Sequence, residues 1–276
     1  MKQYNRSEKR STIINLLLSI ALIFVLLTLV YLSYKIFFTK TETSEEQTVE
    51  TSVQQTEEIP EPEEKYLEFF PIIEGQQAYV GVSDRIDEKK PPTLIIYSHG
   101  SNTTVTQNMQ DPFMLDLQAY GQYFTKHNYI FAASNQHGVN WGNQASIKDT
   151  LLLKEWVDQN YSIKSKIYLI GFSMGGLPTI NFTTQYPELV SKVALLAPTT
   201  KVPTWNQARA DKIMDIDIKI WHGNADVNVP YNYTANFVKR LKTLGKEIPL
   251  ITLEGKGHFD IDTEYMEDIL TFFDSK

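Results

Sequence analysis

No cysteine occurs in the 276 residues. Disulfides, thiolate metal sites, a cysteine nucleophile and a lipid-modified N-terminal Cys are therefore excluded. A basic excess is also missing. Lys and Arg number 26 against 33 Asp and Glu, for a formal net charge of −7. No basic run interleaved with aromatics follows the N-terminal segment, so a nucleic-acid partner is not expected. Neither H-E-x-x-H nor a comparable ligand cluster appears among the five histidines. No metal site and no cofactor are expected on that ground. No internal repeat is found.

What is present falls into unlike parts. Residues 12–34 form an apolar run without a charge, long enough to cross a hydrocarbon core of ~30 Å as a helix. It is longer than the apolar region of a cleaved signal and has no small-residue cleavage site after it, so it reads as an uncleaved anchor. Lys2, Arg6, Lys9 and Arg10 precede it, and only Lys35 and Lys40 follow closely. The positive-inside rule then puts residues 1–11 in the cytoplasm and the remainder outside, as a single-pass cell-membrane protein. Residues 35–65 read as a linker. Within it, 41–64 hold nine Glu, no Lys or Arg and no aromatic residue, a composition that cannot offset the entropy of ordering.

From residue 66 the composition becomes that of a globular domain. After a first pair of strands (67–73 and 77–82), short apolar runs alternate with longer amphipathic stretches. Strands are expected at 93–97, 129–133, 166–170, 192–196, 216–221 and 250–253. Helices are expected near 112–126, 146–159, 174–185, 231–244 and 263–273. The alternation predicts an α/β fold with a mostly parallel, doubly wound sheet. Ligands in such sheets bind beyond the carboxyl ends of the strands, so the strand-to-helix loops are where chemistry is sought.

One such loop reads Gly171-Phe172-Ser173-Met174-Gly175-Gly176. This is G-x-S-x-G between a strand and a helix, where a sharp turn exposes the serine and glycines keep side chains out of the crowding. A serine hydroxyl needs a base within hydrogen-bond reach. Of the five histidines, His258 lies in the loop after the last strand, at the same edge. Its imidazole needs a carboxylate, and Asp226 lies in the loop after the preceding strand, with Asp260 and Asp262 as substitutes. For a developing oxyanion, Met174 offers one amide, and Ser101 or Gly100, in the loop after strand 93–97, offers the other. His99 and Trp141 are placed as substrate-contact residues, though His99 suits a hydrogen bond that stabilises its loop. The loop 135–142 is equally compatible with lining the cleft and with an ordinary surface role.

Together SHGS at 98–101, GFSMGG at 171–176, HGNADVNVP at 222–230 and GKGH at 255–258 resemble the α/β-hydrolase superfamily. Within it they look like the dienelactone-hydrolase, acyl-peptidase and small-esterase branches. The resemblance spans residues 66–276. It implies a serine hydrolase that cleaves ester, amide or thioester bonds through an acyl-enzyme. The implied substrate is a small molecule or a cell-surface acyl group. Acyl transfer to a cell-surface acceptor and a catalytically silent, tethered binding protein are the other readings. Many relatives carry a large cap after the sixth strand. Here 199–215 leave room for one short helix, so the expected cap is minimal.

Overall fold

A computed structural model describes residues 64–87 and 89–276. The expected membrane helix at 12–34 lies outside the described residues, as does the linker up to residue 63. Among the described residues no helix is long and apolar enough to cross a membrane. Lys65, expected as the last linker residue, is already tied to the fold: its amide donates to Asp84 Oδ1 at 2.9 Å.

The expected first strand is two strands. β1 (Tyr66–Phe69) and β2 (Ile72–Ile73) are separated by Phe70-Pro71. Proline has no amide to continue a ladder, and the Pro71 carbonyl is instead taken by the Ala78 amide at 2.8 Å. β2 then turns into β3 (Gln76–Ser83) through Glu74 and Gly75, whose φ values of 49° and 82° suit a two-residue hairpin.

The remaining elements alternate. They are β4 (Thr93–Ser98), α1 (Pro112–Thr125), β5 (Tyr129–Ser134), α2 (Gln144–Asn160), β6 (Ile167–Phe172), α3 (Gly176–Gln185), β7 (Val190–Leu196), α4 (Gln207–Asp211), β8 (Asp217–Gly223), α5 (Tyr231–Thr243), β9 (Leu250–Leu253) and α6 (Met266–Asp274). The helix starts follow from side chains. Asp111 accepts the Phe113 amide ahead of Pro112, and Asn143 and Asn206 accept the amides of Ser146 and Arg209. Each satisfies an amide that the first helical turn leaves open. The cap region holds only a single turn at Val202–Thr204 and the five-residue α4.

The strands order as β1-β3-β5-β4-β6-β7-β8-β9, with β2 beside β3. Every pair from β5 to β9 is parallel, and the pairs that β3 makes are antiparallel. The strands are buried on both faces. Leu94, Ile96, Ile130 and Leu169 face a core closed by α2, α3 and α5. Ile95, Tyr97, Phe131 and Ile170 face a second core closed by α1 and α6. That period of two, apolar on both sides, is why the strands read as continuous apolar runs. The chain leaves β4 toward β5 and returns to β6 on the other side of β4. The loops after β4 and β6 therefore leave the sheet edge side by side.

One carboxylate borders the second core. Asp262, in the loop between β9 and α6, accepts hydrogen bonds from the Tyr97 hydroxyl at 3.0 Å and the Tyr120 hydroxyl at 2.9 Å. Burial raises its pKa to about 6, and the two hydroxyls only partly offset this. The folded chain holds this proton more tightly than the unfolded chain does. The contribution to stability is therefore complete below the ordinary carboxylate pKa and is lost as pH rises through about 6. Asp262→Asn removes that dependence. The stability of the variant relative to the parent should rise by on the order of 2 kcal/mol between pH 4 and pH 7.5 in urea unfolding. A difference independent of pH would count against a charged, buried Asp262.

Candidate functional site

The site grows from the turn after β6. Ser173 has φ of +54°, a left-handed conformation that costs a non-glycine residue about 1–2 kcal/mol. Its surroundings hold it there. The Thr199 amide donates to the Ser173 carbonyl at 2.7 Å. Gly175 lies against the end of β4 so closely that a Cβ would overlap the Ser98 carbonyl. The turn can be this sharp only because that position lacks a side chain. One tight turn at Ser173–Gly175 leads into α3, slightly later than the helix start expected at 174.

Ser173 Oγ lies 2.8 Å from His258 Nε2, and His258 Nδ1 lies 2.7 Å from Asp226 Oδ2. All three residues are buried. The sheet brings them together because β8 and β9 are parallel neighbours and their following loops are stitched to each other. The Asn224 amide donates to the Leu253 carbonyl and the Ala225 amide to the Lys256 carbonyl, both at 3.1 Å. Phe172 packs its ring 5.1 Å from the His258 ring and confines it.

Asp226 Oδ1 accepts the amides of Asn228 and Val229, both at 2.8 Å. Its Oδ2 faces a second imidazole: His222 Nε2 lies at 3.1 Å. The same Nε2 faces the Val229 carbonyl at 2.9 Å. With acceptors on that side, Nε2 carries the proton, and Nδ1 accepts from the Thr234 hydroxyl at 2.9 Å. Burial holds the His222 pKa below the usual histidine range, so its ring is neutral. It therefore orients the carboxylate without cancelling its charge. Sequence reasoning gave His222 no role. The available signal was its position four residues before Asp226, at the end of a strand.

The remaining expected residues separate. Ser101 and Trp141 line a cleft of about 360 Å³ beside Ser173 and His258, together with Asn102 and Phe259. Met174 is buried in the first turn after the serine. Gly100 precedes Ser101, and its carbonyl accepts from the Thr103 hydroxyl at 3.2 Å. His99 corrects the expectation of a substrate contact. It is fully buried, with Nδ1 2.7 Å from the Gly100 carbonyl and Nε2 2.9 Å from the Asn135 carbonyl. The neutral ring carries one N–H and can donate to only one of these carbonyls, so it is wedged between the two loops and does not reach the cleft. Asp260 accepts the Gly257 amide at 2.7 Å, and Asp262 accepts from Tyr97 and Tyr120 at the border of the second core. Neither Asp260 nor Asp262 faces His258.

The loop 135–142 is a constructed wall. Gln136, His137, Gly138, Trp141 and Gly142 all have positive φ. Buried Gln136 donates to Thr150 at 2.8 Å, and His137 Nδ1 lies 2.6 Å from Asp149 on α2. Asn181 on α3 donates to the Gly142 carbonyl at 2.7 Å.

The assembled chemistry is that of an activated hydroxyl. The imidazole can take the Ser173 proton through Nε2, and the carboxylate on Nδ1 steadies the cation that results. Among the described residues, no group of three or more His, Asp or Glu side chains is placed to hold a metal ion.

Comparison with known proteins bears on this chemistry. No functionally curated protein matches the chain significantly. Among solved structures, S-formylglutathione hydrolase from Staphylococcus aureus aligns with a TM-score of 0.58 at 17% identity, over 76% of this chain and 96% of that one. A variant of the feruloyl esterase module from Clostridium thermocellum aligns with a TM-score of 0.59 at 13% identity, over 76% and 88%. A candidate dipeptidyl aminopeptidase IV from Bacteroides ovatus gives 0.62 at 16% identity, over 76% of this chain. The chain spans only 35% of that larger protein, and 62% of a thermostable esterase that it matches at 18% identity with a TM-score of 0.57. These likenesses show the fold. A family model, phospholipase/carboxylesterase, matches residues 76–276. The chain belongs to this phospholipase/carboxylesterase family of the α/β-hydrolase superfamily.

Proposed function

We propose that the chain is a membrane-anchored ester hydrolase in which Ser173, His258 and Asp226 form the catalytic triad. The unbroken contact from Ser173 Oγ through the His258 ring to Asp226, at 2.8 and 2.7 Å, carries this reading. Ser173 attacks the ester carbonyl carbon as His258 Nε2 takes its proton. The amides of Met174 and Ser101 receive the negative charge that develops on the carbonyl oxygen. His258 then returns the proton to the departing alcohol, leaving an acyl-serine. Water, deprotonated by the same imidazole, releases the acid and restores the serine. Asp226 has its second oxygen held by two backbone amides, which keeps His258 in the tautomer with Nδ1–H. The apolar run at 12–34 and the acidic stretch at 41–64 support an anchor and a spacer that put the hydrolase on the outer face of the cell membrane.

Three measurements test this reading. Ser173→Ala should lose fluorophosphonate labelling and reduce ester turnover by at least about 10³-fold, and His258→Ala should do the same to turnover. Thermal unfolding of both variants should still be cooperative. Persistent labelling of the Ser173→Ala protein would remove Ser173 from its role.

A chain-length series tests the cleft. Each buried methylene contributes about 0.8 kcal/mol, but the cleft holds only about 360 Å³ and no large cap lengthens it. Butyryl esters should therefore be turned over with higher kcat/KM than palmitoyl esters, without a jump at a lipid–water interface. A steep rise toward long chains is the opposing result.

Topology is tested by protease on intact cells, which should cut within 41–64 and release the folded domain. Release only after lysis would reverse the orientation.

A further inference from the structure

A groove of about 830 Å³ lies between the short cap segment and α5, larger than the cleft at Ser173. Val202, Pro203 and the exposed ring of Tyr233 give it apolar walls, and Lys201, Lys239 and Arg240 give it charge. Tyr233 also lines the Ser173 cleft, so the two depressions share a wall.

A smaller cavity of about 180 Å³ adjoins the groove through Thr200, Lys201 and Thr204, and a fourth cation, Arg209, reaches it. Arg209 lies over the Trp205 ring at 4.2 Å and donates to Thr204 Oγ1 at 2.7 Å and to Asn181 Oδ1 at 2.6 Å. Its Nε is buried without a partner, and so is the hydroxyl of Thr200. Both atoms belong to residues that line this smaller cavity. Arg240 directs two nitrogens at the Trp205 carbonyl, at 2.9 and 3.2 Å, which fixes its guanidinium on the groove.

No carboxylate lines either cavity. In a chain with a formal net charge of −7, four cations gathered without an acid beside the reactive serine are not a random sample of the surface. Clefts lined by one sign of charge concentrate ligands of the opposite sign.

We propose that this groove is a subsite for an anionic group on the substrate: an ester whose far end carries a carboxylate or a phosphate on a short apolar arm. The apolar walls take the arm, the lysines and Arg240 take the charge, and Tyr233 marks the passage to the scissile bond. The proposal rests on Ser173 being the nucleophile.

The test uses the full chain in detergent and two matched pairs of esters. In the first pair the charge is on the acyl arm: the mono-p-nitrophenyl ester of adipic acid against p-nitrophenyl hexanoate. In the second it is on the alcohol: 4-acetoxyphenylacetic acid against its amide. The readout is the ratio of kcat/KM for the charged and neutral members, so a general loss of activity cancels. In at least one pair the ratio should exceed unity by about tenfold at low salt and shrink at 0.5 M salt. Lys201→Gln/Lys239→Gln should abolish the preference and Lys201→Glu/Lys239→Glu should invert it. Ratios that are the same in parent and variants for both pairs overturn the subsite while leaving the hydrolase intact. Absence of turnover for all four esters, with no fluorophosphonate labelling, overturns the hydrolase reading and the subsite with it.

Discussion

A carboxylate with no access to water must be surrounded by donors or it will not stay charged. Asp226 meets that requirement with two backbone amides on one oxygen and two imidazoles on the other. Each donor comes from a different consequence of the sheet. The amides belong to the turn that follows β8, His222 to the end of β8 itself, and His258 to the loop after β9. Register between these two strands is thus tied to chemistry. A slip of one residue would turn His222 to the other face of the sheet and leave the carboxylate short of a partner. The same stitching of the two loops sets where the His258 ring can stand relative to Ser173.

The cost of the site is backbone strain at the edge where the strands end. Ser173 adopts a left-handed turn, and so do five residues across 136–142, Trp141 among them. The parallel strands beneath are regular and buried on both faces. Rigid strands and strained loops belong together here, since a flexible base would let the loops relax out of shape. His99 shows how the edge is locked. Its buried ring sits between the carbonyls of Gly100 and Asn135, and so packs the turn after β4 against the wall that carries Trp141.

Much of this was legible in the residues. Apolar runs marked the parallel strands, and Gly171, Ser173 and Gly175 marked the elbow because a turn of that sharpness leaves no room for other side chains. The chain order of Ser173, Asp226 and His258 followed from strand order. What was not legible depended on partners distant in sequence. The break at Phe70-Pro71 looks apolar throughout and shows itself only through a missing amide. Asp262 reads as an ordinary loop acid until Tyr97 and Tyr120 close over it. His99 and His222 are both strand-end histidines beside glycines, as local pattern has it. Only the carbonyls around one and the carboxylate beside the other separate their roles. The groove along α5 depends on side chains from 200–204 and 233–243 facing each other, which no periodicity records.

The loop that carries Trp141 has no slack. Most of its residues from 136 to 142 sit in conformations that disfavour exchange, and its anchors lie in the body of the fold: Thr150 and Asp149 on α2, and Asn181 on α3. The shape of the cleft is consequently inherited from helix packing rather than set at the loop's tip. Over evolutionary time, or in a directed-evolution experiment, substrate range at this wall would drift through quiet substitutions beneath the surface. The residue that touches the ligand would be among the last to change.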